Sequence, residues 1–266
     1  MGTAARAHIW RHAPATTRPR HFHPEPEFNW VAAGRARFGM GEKVLDVREG
    51  DILWWPPGQD HVLIDASPDF DLFVVGITPE LSARALPHAV GSAGGWQVRA
   101  RLPASESARW LALCAAPLSA TDVPAVEARV GDLWREAQSY RVSEASLHAS
   151  TRRALLSVHD RPELARDELA DILGAYPTEL SRHFRKDLGL KLTAYRTRVR
   201  LMRFIHAVDQ GADNWMSAAL AAGFGSYSQF HRTFHLTLGC APRDFFGTNA
   251  RIRMQDRFSP MEPNLR

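Results

Sequence analysis

From residue 21 to about residue 77 apolar positions alternate with polar ones or fall in short runs, FNWVAAG, ARFGM, KVLDV, DILWW, HVLI and FDLFVVGI, separated by glycine, proline and aspartate. Side chains two apart on an extended chain share a face, so this pattern predicts a strand-rich barrel or sandwich. After Leu102 the alternation stops. Helix-favouring residues begin at Ser105, and Val123, Val126, Val130, Leu133, Ala137 and Tyr140 recur at steps of three and four, one apolar stripe on one helix. A less patterned stretch, residues 141–150, leads to a third region ending near Phe246, where helical periodicity is broken by glycine turns. The tail beyond Gly247 is polar, contains Pro260 and Pro263, and is expected to be poorly ordered. The expected fold class is α+β: an N-terminal β-barrel over residues 1–100, helices over 101–145, an all-α domain over 146–248 and a tail over 249–266.

The third region contains an internal repeat. LSRHFRKDLG, residues 180–189, aligns with FHRTFHLTLG, residues 230–239, through Arg182 and Arg232, Phe184 and Phe234, and the Leu-Gly pairs at 188–189 and 238–239. Each copy follows a short apolar helix and a glycine, Gly174 or Gly223. Helix, glycine-bearing turn, helix is the helix-turn-helix pattern, in which the second helix enters the major groove. Ser226 with Gln229 makes a capping box for the second copy. In the first, Pro177 suits the first helical position, although Tyr176 before it is a poor cap. Residues 191–208 predict a long connecting helix with Leu192, Tyr195, Val199, Met202 and His206 on one face.

Charge sharpens this reading. Over 266 residues, Lys+Arg number 33 and Asp+Glu 29, a balance of +4 that says little by itself. From Arg182 to Arg203, however, eight basic side chains meet one acid, Asp187, a density suited to neutralising phosphates, although a solvated helix face is the plainer alternative. The length suits two domains. No apolar run approaches the roughly 18–20 residues of a membrane span, and the N-terminus lacks the apolar core of a secretory signal, so a cytoplasmic protein is expected. The two cysteines, Cys114 and Cys240, give neither a disulfide framework nor a zinc knuckle.

Residues 152–246 resemble the tandem helix-turn-helix module of the AraC/XylS-type transcription regulators. The resemblance rests on the repeat, on Arg200-Leu201 in the linking helix, on Gly223-Phe224, and on Gly239 with Pro242 beyond it. Tyr176 and Ala218 depart from it: the family usually has a serine at the first position and a larger aliphatic residue at the second. The resemblance implies two recognition helices. Thr178, Glu179, Ser181, Arg182, Arg185 and Lys186 fall on the first, Ser226, Tyr227, Gln229, His231 and Arg232 on the second, and Leu180, Phe184, Phe230 and Phe234 point inward. Arginine binds guanine and glutamine binds adenine in a bidentate manner, which makes Arg182, Gln229 and Arg232 the candidate base readers. Arg185 and Lys186 read better as phosphate contacts.

The N-terminal region has its own motif. His21, His23, Glu27 and Gly34 are followed by GDILWWPPGQDH, residues 50–61. Together these resemble both motifs of the cupin barrels, whose three histidines and glutamate converge on one metal; Ala15 and Asp65 depart from the usual glycine and asparagine. The resemblance implies His21, His23, Glu27 and His61 as ligands for zinc, nickel, iron, manganese or copper, among which affinity order does not choose. The alternative is a motif kept for shape around an organic effector. Trp30, Phe38, Trp54 and Trp55 are candidates to line an effector pocket, with ordinary core as the other reading.

Three functions remain open at this level: a regulator controlled by a small molecule or metal in the barrel, a metal-dependent cupin enzyme carrying a DNA-binding tail, and a regulator whose barrel is a dimerisation scaffold. The expected partners are double-stranded DNA, a small-molecule effector and a second copy of the chain, with RNA polymerase as a further candidate and no membrane. The stripe over residues 123–140 reads either as a dimer seam or as packing on its own barrel.

Overall fold

The computed structural model describes residues 7–12, 20–77, 99–116, 122–140 and 147–247. Ala15, the start of the linker at 141–146 and the tail after Gly247 lie outside the described residues. Two compact units are present. The first runs to Leu156 and includes Arg182–Leu190; the second comprises Ser157–Ser181 and the residues from Lys191.

Among the described residues the first unit contains eight strands: β1 (Ala7–His12), β2 (Glu27–Ala33), β3 (Arg35–Met40), β4 (Lys43–Arg48), β5 (Asp51–Trp55), β6 (His61–Ala66), β7 (Asp71–Ile77) and β8 (Arg99–Arg101). They pair antiparallel in two sheets, β1-β7-β2-β5-β8 and β4-β3-β6. The expected α+β class holds, with the strands in two sheets rather than one closed barrel; His21, outside both sheets, exchanges backbone hydrogen bonds of 3.2 and 3.0 Å with His61 of β6. Strands β1 and β8 were not foreseen, because both stand apart from the alternating block. Gly34 turns β2 into β3 at φ 74°, and a Cβ there would meet the Phe70 backbone at 2.7 Å, so the turn requires glycine.

Strand β2 is buried on both faces. Phe28 and Trp30 face away from the second sheet into a core shared with Ile52, Trp54, Phe73 and Val75. Two helices cover that core: α1 (Ser107–Ala115), through Trp110 and Cys114, and α2 (Val123–Ser139), through Val126, Val130, Leu133, Trp134 and Ala137. The apolar stripe of α2 is therefore consumed inside its own subunit, and the dimer-seam reading falls. Asp122 caps α2 by accepting from Ala125 N at 3.2 Å. Glu136 of α2 accepts from Trp110 Nε1 at 2.8 Å and Tyr140 Oη at 2.7 Å, and pairs with Arg109, so the two helices are tied by polar as well as apolar contacts.

The remaining helices are α3 (Ala149–Asp160), α4 (Arg166–Ile172), α5 (Pro177–Leu188), α6 (Leu192–Asp209), α7 (Trp215–Ala221), α8 (Tyr227–Leu238) and α9 (Pro242–Phe246). Both repeat copies end at glycines with left-handed backbone, Gly189 (φ 63°) and Gly239 (φ 76°), the usual stop for a helix. In the second unit, Leu201 and Phe204 of α6 pack with Ala219, Phe224, Phe230 and Phe234. Helix α6 buries Leu192, Tyr195, Val199 and Met202 as predicted, whereas His206 is exposed. No helix among the described residues is long and apolar enough to cross a membrane.

Candidate functional site

His21 sits at the isolated bridge to His61, and His23 lies on irregular chain before β2 rather than on a regular strand. The reason for their convergence is therefore the bridge and the bend through Pro24 and Pro26, and not strand alternation alone. Ligand atoms of His21, His23 and His61 all lie within 4.8 Å of one another. Glu27, the first residue of β2, points between the sheets: its Oε2 is 3.3 Å from His23 Nε2 and its Oε1 is 3.7 Å from His61 Nε2.

The ring orientations suit a ligand set. His23 Nδ1 is 2.8 Å from Glu25 O and His61 Nδ1 is 3.4 Å from Gln59 O. A proton held on Nδ1 by a carbonyl leaves the Nε2 lone pair facing inward, as metal-binding imidazoles require. Trp55 stacks on His61 with centroids 4.7 Å apart and planes 13° from parallel. Asn29, with its amide turned to satisfy both neighbours, donates to Glu27 Oε1 at 2.8 Å and accepts from Trp55 Nε1 at 2.8 Å. Burial pushes the His61 imidazole down to about 3, so at neutral pH it is uncharged. Burial would raise Glu27, but chiefly the hydrogen bond and charge of His23 draw it down to about 2. A buried carboxylate held ionised among imidazoles is a donor set that fits a divalent transition metal.

The space beside these groups is small. The cavity bounded by Trp10, His12, His21, Glu27, Phe38 and His61 measures about 50 Å³. A few atoms fit there, whereas organic-ligand pockets occupy about 300–1,000 Å³. Of the four aromatics expected to line an effector pocket, Phe38 borders this cavity and Trp55 stands behind His61. Trp30 and Trp54 point the other way: Trp30 packs on Phe73 and Trp110, and Trp54 on Phe28 and Trp134. Those two are core beneath α1 and α2, because odd and even residues of β2 and β5 serve opposite faces.

On α5, Thr178, Glu179, Arg182, Arg185 and Lys186 are exposed and Leu180 and Phe184 are buried. Ser181 is partly buried and spends its hydroxyl on Pro177 O at 2.8 Å, which removes it from the exposed set. Arg182 donates to His183 Nε2 at 2.9 Å, and Arg185 pairs with Glu42 at 2.6 Å. Both members of that second pair are more than half exposed, so it holds weakly and is open to exchange. On α8, Gln229, His231 and Arg232 are exposed, Tyr227 is partly so, and Phe230 and Phe234 are buried. Ser226 caps α8 by accepting from Gln229 N at 3.1 Å. Gln229 Oε1 in turn accepts from Gly225 N at 2.9 Å, so its side-chain oxygen is engaged.

The arginine density of α6 has a structural use. Arg200 donates to Pro162 O at 2.8 Å and Glu163 O at 3.2 Å, and Arg203 donates to His159 O and, at 2.9 Å, to Asp160 O. These carbonyls end α3 or follow it, and cationic donors there satisfy acceptors that the helix leaves open. Three of the eight basic residues, Arg196 included through Glu163 O, are thus directed at the protein's own backbone. Ser228, His235 and Leu236 are also exposed on α8, and the first two, being polar, are further candidates that the motif reading did not name. The repeat marks those two, since an offset of fifty residues carries Thr178 onto Ser228 and Arg185 onto His235.

Residues 4–156 match the family described as AraC-like ligand binding domain, and residues 169–248 match a helix-turn-helix domain. The chain belongs to the AraC family. As a member it is a DNA-binding transcription regulator with an N-terminal ligand-binding domain. No curated protein sequence matches it. Among solved structures it is similar to ToxT from Vibrio cholerae, at 12% identity and TM-score 0.45, over 91% of this chain and 98% of that one. The C-terminal domain of AraT, a response regulator from Geobacillus stearothermophilus, aligns at 20% identity and TM-score 0.37, over 45% of this chain and 98% of that one. Oxalate decarboxylase from Bacillus subtilis, a protein with Mn(II) centres, aligns at 25% identity and TM-score 0.24, over 27% of this chain and 20% of that one.

Proposed function

We propose that this AraC-family regulator is controlled by one divalent transition metal ion, held by His21, His23, Glu27 and His61, and that α5 and α8 read double-stranded DNA in the cytoplasm. One observation carries the metal reading: ligand atoms of three imidazoles lie within 4.8 Å of one another beside an ionised carboxylate, and the cavity that His21, Glu27 and His61 border is about 50 Å³, room for an ion and too little for an organic effector. The same shortage of space argues against an enzyme, which would need a substrate beside the metal. On the output side, Arg182 and Arg232 occupy corresponding exposed places on the two recognition helices and are the proposed base readers.

The test is metal analysis of the purified protein with DNA binding measured beside it. About one equivalent is expected, since four ligands make one site, and a chelator should lower the melting temperature and change affinity for selected DNA fragments. His23→Ala with His61→Ala should abolish both effects and leave the helical domain folded. A protein isolated without metal that takes up none of zinc, nickel, manganese, iron or copper at neutral pH would sink the reading. A homodimer would form through a surface other than the α2 stripe, and sedimentation at working concentration measures it.

A further inference from the structure

The register of the three-stranded sheet gives it two chemically different ends. On β3, Met40 pairs with His61 at the histidine end, and Ala36 pairs with Ala66 at the other. At that second end Arg35 lies directly opposite Arg48 across the β3–β4 pair. Like charges directly opposed across two strands are destabilising. Among the described residues neither guanidinium has a hydrogen bond or an ion pair.

The surrounding charges do not neutralise the pair. Arg37, the next outward residue of β3, is taken by Asp65, at 2.9 Å from its Nε, with Asp46 opposite it on β4. Asp51 is buried and is shared by Arg99 and Arg101, the latter at 2.6 Å, while also accepting from Arg48 N at 2.9 Å; two cations there face one anion. Asp69 feels the charge of Arg35, but its carboxyl is held down chiefly by the hydrogen bond from Ser67. Arg35, Arg37, Arg48 and Arg99 line one open cleft of about 730 Å³ in which Asp46 and Asp65, beside Arg37, are the acids, so the cations outnumber the anions there, and Ala36, Val47 and Ala66 form an apolar part of its wall. That volume exceeds the histidine cavity more than tenfold and falls in the range of organic-ligand sites.

We infer that this cleft binds a small organic anion, with its carboxylate or phosphate head held between Arg35 and Arg48 and its apolar body against Ala36, Val47 and Ala66. A planar guanidinium presents a fork that matches either head group, and an anion between two such forks turns their repulsion into attraction. The site is distinct from the metal cluster and stands whether or not that cluster is loaded.

Calorimetric titration of the full chain with phenyl phosphate, hexanoate, inorganic phosphate and hexanol tests this. One equivalent of phenyl phosphate or hexanoate should bind saturably, the stronger of the two identifying the head group, while inorganic phosphate binds more weakly and hexanol does not bind. Arg35→Gln with Arg48→Gln should weaken binding by about tenfold or more, the loss of two charge-assisted contacts. Relief of the like-charge contact should leave the melting temperature of that variant unchanged or higher, so unfolding would not explain the loss. Arg11→Gln, whose guanidinium pairs with Asp71 outside the cleft, should bind like the parent. Failure of both organic anions to bind, hexanol binding as well as they do, or an unchanged affinity in the double variant would each overturn the assignment.

Discussion

Gln229 Oε1 accepts a hydrogen bond from Gly225 N at 2.9 Å while Gln229 N donates to Ser226 Oγ at 3.1 Å. One residue thus starts α8 and stands on its exposed face. An adenine reader must present both an acceptor and a donor, and here the acceptor is spoken for. Gln229→Glu should keep the reciprocal cap and the melting temperature while altering the preferred DNA sequence. Gln229→Ala should cost about 0.5–2 kcal/mol of stability through the cap. Thermal melts paired with selection of bound fragments distinguish these effects, and a Glu variant as unstable as the Ala variant would count against the cap.

Arginines on α6 and α8 should behave differently although the sequence makes them look alike. Arg203→Ala frees two backbone carbonyls at the end of α3 and should destabilise the second unit by about 1–3 kcal/mol, with the salt dependence of DNA binding intact. Arg232→Ala should leave the melting temperature in place and lose about 1–3 kcal/mol on the specific site alone. Equal losses on specific and random DNA for Arg232→Ala would make it a phosphate contact.

The stripe on α2 should report on the sensor core and not on assembly. Leu133→Ala removes a fully buried side chain and should cost about 2–5 kcal/mol. Near-ultraviolet circular dichroism of the tryptophan cluster should follow the same transition. A variant that changed sedimentation while keeping its melting temperature would return the stripe to an interface.

Acid should weaken the metal-free sensor in two steps. His61 titrates at about 3 in the fold against an ordinary 6.5, so the unfolded chain binds more protons between those values and stability falls as pH drops through that window. Glu27 titrates at about 2 against 4.5, and its contribution, complete above 4.5, is lost as pH falls toward 2. His23 works in the opposite sense. Burial opposes its proton, but Glu27 raises it overall, so its contribution is whole below 6.5 and fades as pH climbs through the raised value. Melting temperature against pH should therefore fall steadily below 6.5, and His61→Phe should remove the upper part of that fall. An unchanged profile in His61→Phe would show that His61 carries no proton difference between the folded and unfolded states.

The order of the parts was legible in the chain, because each leaves a periodic trace. Alternation at 21–77 marked the strands β2 to β7, steps of three and four marked α2 and α6, and the fifty-residue offset marked the paired helices that end at Gly189 and Gly239. The cluster of His21, His23, Glu27 and His61 was legible too, as residue types at a known spacing. Tertiary structure alone decided which surface each pattern serves. Whether the α2 stripe meets a partner or its own sheet depends on an apolar face about fifty to a hundred and ten residues away, on Phe28, Trp54 and Val75, that no local period reveals. The same holds for Trp30 and Trp54, whose face follows from strand pairing rather than from hydrophobicity. Arg200 and Arg203 look identical to Arg182 as sequence, yet the carbonyls that occupy them belong to a turn some forty residues earlier. Periodicity is a property of neighbours along the chain, while the partner that satisfies a stripe or a charge is a neighbour in space.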